Sequence, residues 1–137
     1  MLEKEEEPES VIETLTINLP LKSNITRLNI IKQLGDHIQE VVNNLIIKSN
    51  DCTIVEPPVF NGFKFTNITS LKIESPLQKV PENLFTELPM LKSLDLSKNQ
   101  IKSIHSNTFQ ILTALENLDL SRFELNQILK YSNHFYN

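Results

Sequence analysis

The chain has 137 residues, enough for one domain with a continuous core. Hydrophobic residues make up 39%, Trp is absent and Gly falls to two, which disfavours sandwiches and barrels with their frequent tight turns and favours repetitive α/β or helical architecture. The net charge is -4, and Lys, Arg and aromatic residues never cluster on one stretch, which argues against a nucleic-acid partner.

Residues 1–10, MLEKEEEPES, hold five Glu and one Lys between Glu3 and Glu9 and have no apolar period. They are expected to form a disordered acidic head without a function of its own. The longest apolar run, Leu45 to Ile47, is far short of the roughly 20 residues of a membrane-spanning helix, and no signal-peptide pattern opens the chain, so a soluble polypeptide is expected.

After the head, Ile12, Leu15 and Ile17 mark a first strand, with Ile25 and Ile30 behind it. Ile31, Leu34, Ile38, Val41, Val42 and Leu45 then fall at three- and four-residue steps, which predicts an amphipathic helix from Ile31 to Leu45 that shields the end of the core. Gly35 inside it costs up to about 1 kcal/mol relative to Ala. Next come Val42, Leu45, Ile47, Asn50, Cys52, Val55, Phe60 and Phe63, and then Ile68, Leu71, Ile73, Val80-Pro81, Phe85 and Leu88.

The clearest signal follows. Leu91, Leu94, Leu96, Ile101 and Ile104 recur 24 positions later as Leu115, Leu118, Leu120, Leu125 and Ile128. The alternation in SLDLS puts Leu94 and Leu96 on one face and Ser93, Asp95 and Ser97 on the other, so each unit contributes one short half-buried strand. A single unit cannot bury its aliphatic stripe; neighbours must stack, with strands paired in parallel.

The pattern L-x-x-L-x-L-x-x-N-x-I-x-x-I, with its tail x-x-x-x-F-x-x-L through Phe109 and Leu112, resembles the leucine-rich repeat family, in the 24-residue class of Toll-like receptor ectodomains and related cell-surface proteins. The expected fold is an α/β solenoid with short parallel strands on a concave face. Its units run over 12–41, 42–67, 68–90, 91–114 and an incomplete 115–137, within a domain of residues 11–137. The resemblance implies that Asn50 and Asn99 turn inward to bond the backbone between units, and that this ladder is interrupted at Pro76 and Phe123. It also implies recognition of a protein or microbial product at the cell surface or outside the cell, as in innate immunity.

Cys52 is the single cysteine and is expected to be buried and inert, since nothing near it in sequence would activate a thiolate. His37, His105 and His134 are far apart, so no metal motif can be written, and two glycines cannot build a phosphate cradle; no cofactor is expected. Asp95 and Asp119 should stand about 5 Å apart on adjacent strands, but an open strand surface cannot desolvate one of them into a general acid, so the chain is read as a binding module and not an enzyme.

The expected contact surface comprises Asn44, Ile46 and Lys48; Ser70, Lys72 and Glu74; Ser93, Asp95 and Ser97; and Asn117, Asp119, Ser121 and Arg122. It is a mixed, mostly polar strip suited to a protein or glycan ligand. Two glycosylation sequons, at Asn24 and Asn67, occur about as often as chance supplies. An intracellular scaffold in the cytoplasm that docks a signalling protein is the alternative, to which the signal-less start and lone thiol are natural. The tail after Ile128 offers no cysteine-bearing cap, so pairing of two copies through an uncapped C-terminal end is a further expectation.

Overall fold

The computed structural model describes residues 11–34, 41–52, 54–56, 59–60, 67–105 and 107–120. Five parallel strands form the main sheet: β1 (Val11–Asn18), β3 (Val41–Lys48), β5 (Ser70–Glu74), β7 (Ser93–Asp95) and β9 (Asn117–Asp119), in that spatial order. Between them lie the helix α1 (Arg27–Leu34) and four two-residue strands, β2 (Ile25–Thr26), β4 (Val55–Glu56), β6 (Lys79–Val80) and β8 (Ser103–Ile104). These pair in parallel as β2 with β4 and β6 with β8. The result is a solenoid of parallel strands.

Registration of the main sheet follows from the aliphatic pattern. Leu15, Leu45, Leu71, Leu94 and Leu118 stand opposite one another from strand to strand, as do Ile17, Ile47 and Ile73. Since side chains alternate, one such row inside forces the intervening residues outside. Leu45 and Leu71 in the middle strands are fully buried, while Leu15 and Leu118 in the outer strands are partly buried. The buried members of the short strands, Ile25, Val55, Val80 and Ile104, join the same core. Phe85 and Phe109, a unit apart, stack with ring centroids 6.2 Å apart, which continues the layering through the F-x-x-L tails.

The helix differs from expectation. It spans Arg27–Leu34, and Val41–Lys48 is a strand rather than the last turns of a helix. The reason lies in the repeat pattern itself. Its L-x-x-L step puts Val42 and Leu45 three residues apart, as in a helix, although here both point inward from an extended chain. The start of α1 is fixed by Thr26, whose Oγ1 accepts the amide of Asn29 at 3.1 Å, an N-cap bond. Ile30 and Leu34 enter the core, and α1 packs on β1 and β2. Gly35, His37, Phe63 and Phe123 lie outside the described residues, as do the acidic head and the tail from 121 to 137.

Beyond the strand ends, backbone bonds continue the stack: Leu19 donates to Lys48, and Ser49 to Glu74, each at 2.9 Å. Buried side chains satisfy the groups between them. Asn99 donates through Nδ2 to the carbonyls of Ile73 (2.6 Å) and Leu96 (3.1 Å), as the family pattern implies. Asn50 does not turn inward; it is exposed, and Ser49 beside it is buried and accepts the Cys52 amide on Oγ. At Pro76, where the asparagine is missing, the hydroxyl of Ser75 donates to the Cys52 carbonyl. The ladder is therefore carried across this unit by serine. Cys52 is buried, and its Sγ lies 3.1 Å from the Ile54 carbonyl.

Two substitutions separate packing from polar satisfaction. Leu71→Ala should cost about 2–5 kcal/mol by opening a cavity in the central layer. Asn99→Ala, which strips the donor from two buried carbonyls, should cost about 1–3 kcal/mol. Urea denaturation reads both, and Lys102→Ala on the exposed surface should stay within about 0.5 kcal/mol of the parent.

Candidate binding face

The outward residues of the main sheet form three rows set by the strand register. The first runs Thr14, Asn44, Ser70, Ser93, Asn117; the second Thr16, Ile46, Lys72, Asp95, Asp119; the third Asn18, Lys48, Glu74. With strands about 4.8 Å apart, each five-residue row spans roughly 19 Å. The first row bears only hydroxyls and amides, with Asn44 Nδ2 donating to Thr14 Oγ1 at 3.3 Å. Rigid backbone at regular spacing gives such a row little conformational freedom to lose on binding.

The charged residues converge in the middle. Lys72 Nζ lies 3.0 Å from Glu74 Oε1 and 3.9 Å from Asp95 Oδ2. Lys98 and Lys48 approach the Glu74 carboxylate at 3.5 and 3.8 Å. The hydrogen bond from Lys72, with the lysine charges, holds the Glu74 carboxyl below the ordinary range against the opposing effect of burial; the bond and charge of Glu74 raise Lys72 in turn. At Asp95, burial pushes the carboxyl up, but two hydrogen bonds from Ser97 and the charge of Lys72 outweigh it, so the net shift is downward. Those bonds run from the Ser97 amide (2.9 Å) and hydroxyl (2.6 Å) to Oδ1, an Asx turn that closes the end of β7. Asp95 is thus kept ionised, whereas the acid member of a hydrolytic pair requires a raised pKa.

Most of the expected surface therefore falls on one face. Asn44, Ile46, Lys48, Ser70, Lys72, Glu74, Ser93, Asp95, Asn117 and Asp119 share it, and Ser97 extends it past β7. Ser121 and Arg122 lie outside the described residues. Sequence reasoning missed Thr14, Thr16 and Asn18 of β1, although TLTIN carries the same alternation as SLDLS; the long first unit obscured its register. It also missed Lys98, a loop residue that only the folded turn brings to Glu74. Of the sequons, Asn67 is exposed, and Asn24 is half-buried with its carbonyl bonded to Asn29. Among the described residues no group of His, Cys, Asp and Glu is arranged to hold a metal, and no helix is long and apolar enough to cross a membrane.

The model of the leucine rich repeat family matches residues 66–128, the segment containing β5 through β9. Together with the solenoid of parallel strands this match supports a leucine-rich repeat protein, and domains of that family generally serve as protein-binding modules. Comparison with curated proteins gives no match.

The depressed Glu74 carboxyl has a pH signature. A group with a lowered folded pKa contributes stability that is present above its unfolded value and lost as pH falls through the folded one. Wild type should resist urea better than Glu74→Gln at neutral pH, by a small margin appropriate to a partly exposed network. The two denaturation midpoints should converge as the pH falls below the ordinary glutamate range and through the lowered folded value.

Proposed function

We propose that the chain is a non-catalytic recognition module that binds a protein ligand on the outward face of its five-stranded sheet. The observation that carries this reading is the set of registered rows, above all Thr14, Asn44, Ser70, Ser93 and Asn117, an unbroken line of hydroxyls and amides on fixed backbone. Lys72, Glu74 and Asp95 beside it supply charges of both signs, the mixture that sets register and excludes wrong partners at protein interfaces. A glycan is the lesser candidate, because no aromatic side chain stands in the rows to stack on a sugar ring.

The resemblance of the 24-residue units to Toll-like receptor ectodomains supports a place at the cell surface or outside the cell, in recognition of the innate-immune kind. Exposed Asn67 is accessible for the glycan such a location would add. A second reading, an intracellular scaffold docking a signalling protein, uses the same face and is favoured by Cys52, a single buried thiol without a disulfide partner among the described residues.

A photo-reactive residue in place of Ser93 should yield a protein adduct in the native setting, and one in place of Gln78, on the other side of the unit, should not. Ser70→Arg, which drives a long side chain into the middle of the first row, should lower adduct yield tenfold or more, about 1.4 kcal/mol in binding. Adducts of equal yield from both positions would refute the sheet-face reading. Passage through the secretory pathway separates the two locations, because a glycan on Asn67 excludes the intracellular scaffold.

A further inference from the structure

The loops that follow β3, β5 and β7 border an open cleft of about 310 Å³ whose lining includes Lys48, Asn50, Glu74, Lys98 and Gln100. Three ammonium groups converge on the Glu74 carboxylate, and two of them, Lys48 and Lys98, belong to the lining. Lys72 forms a hydrogen bond to Glu74 at 3.0 Å, but Lys98 and Lys48 stand 3.5 and 3.8 Å from the same carboxylate, close enough to feel its charge and too far to be well bonded. An ammonium has three N–H donors, so Lys48 and Lys98 retain capacity that Glu74 does not use. Their side chains are 47% and 58% exposed, whereas Glu74 is 18% exposed beneath them.

Charge accounting points the same way. Of the charged side chains that line the cleft, Lys48 and Lys98 outnumber Glu74, leaving one positive charge in excess on a chain whose net charge is -4. Asn50, which the repeat pattern would have turned inward, is exposed on the lining, and Gln100 is exposed there too, adding amide donors at the rim.

We infer that this cleft is an anion-binding notch in which Lys48 and Lys98, assisted by Asn50 and Gln100, grip a single side-chain or terminal carboxylate of a protein partner. The inference rests on the proposed reading of the sheet face and names one anchor for it. A carboxylate fits better than a sulfate or phosphate run. Only one positive charge of the lining is uncompensated, Glu74 and Asp95 would repel a polyanion, and among the described residues no arginine lines the cleft to offer the bidentate fork that phosphate and sulfate favour. At the rim of an interface such a contact sets orientation and association rate, and it weakens with salt.

Titration of the full chain with an acetylated and amidated Gly-Glu-Gly peptide, which carries a single carboxylate, followed by NMR of the lysine side chains, tests the notch. The expected result is a saturable shift at Lys48 and Lys98 with a dissociation constant in the millimolar range, about 1 mM or weaker. Joint replacement Lys48→Gln and Lys98→Gln should weaken binding at least about tenfold. Glu74→Gln, which removes the competing carboxylate, should strengthen it severalfold, and circular dichroism checks that each variant is folded. Shifts spread evenly over Lys79, Lys92 and Lys102, no saturation, or tighter binding of a heparin-derived oligosaccharide than of the single-carboxylate peptide would overturn the assignment. The peptide titration needs no native partner, so its failure removes the notch alone, while photo-crosslinking from position 93 reports independently on the sheet face.

Discussion

The parallel alignment of Leu15, Leu45, Leu71, Leu94 and Leu118 is the constraint from which the rest of the molecule follows. No unit has enough apolar surface to close on its own, so its leucine must lie against the leucine before and after it. The side-chain period of a strand is two. Once one row is committed to the interior, the rows on either side are committed to the outside, in register and without further instruction from the sequence. The core and the binding face are therefore specified by one choice, and a slip of one residue in any strand would ruin both together.

Stacking in parallel leaves a second demand where the strands end. Chain leaving the sheet must turn back through the interior, and its amides and carbonyls must find partners there. Asn99 meets this with one amide nitrogen that bridges two carbonyls, while Ser49 and Ser75 do it with hydroxyls from the adjacent position. A serine reaches less far than an asparagine, but the Cys52 backbone comes close enough for both serines to use it: Ser49 takes its amide and Ser75 its carbonyl. Substituting proline for the ladder asparagine is tolerated for this reason, and with Ser49 doing this work Asn50 is free to point outward.

The strands were legible because large aliphatics recur at fixed spacing with little else mixed in. Leu94 and Leu96, or Leu71 and Ile73, leave one assignment open for Ser93, Asp95 and Lys72. The stretch before Ile47 was less legible, since Val42 and Leu45 satisfy a helical step and a repeat step equally well. What separates them is whether a neighbouring strand is there to pair with, a non-local fact. The helix that does form, Arg27–Leu34, is set by a cap at Thr26 more than by its apolar period. Sites made by loops were the least legible. Lys98 and Glu74 are 24 positions apart, and nothing in their neighbours foretells a meeting that depends on how two turns fold over the end of β5.

Electrostatics on the sheet follow from the repeat as well. A pattern that recurs places like residues side by side, and Asp95 next to Asp119 is the consequence, with two carboxylates on adjacent strands. Left alone, such a pair destabilises the sheet. Lys72, on the opposite flank of Asp95, and the two hydrogen bonds from Ser97 offset that repulsion and keep Asp95 ionised. Lys72 also bonds Glu74, which gathers Lys48 and Lys98 from the neighbouring units, so one lysine ties the acidic end of the second row to the Glu74 end of the third and its lysines. The face is consequently polar in charge distribution, negative toward β9 and positive over the ends of β3 and β5. A partner of uniform charge would be repelled at one end of it, and one with complementary charges in the reverse order is favoured in a single orientation.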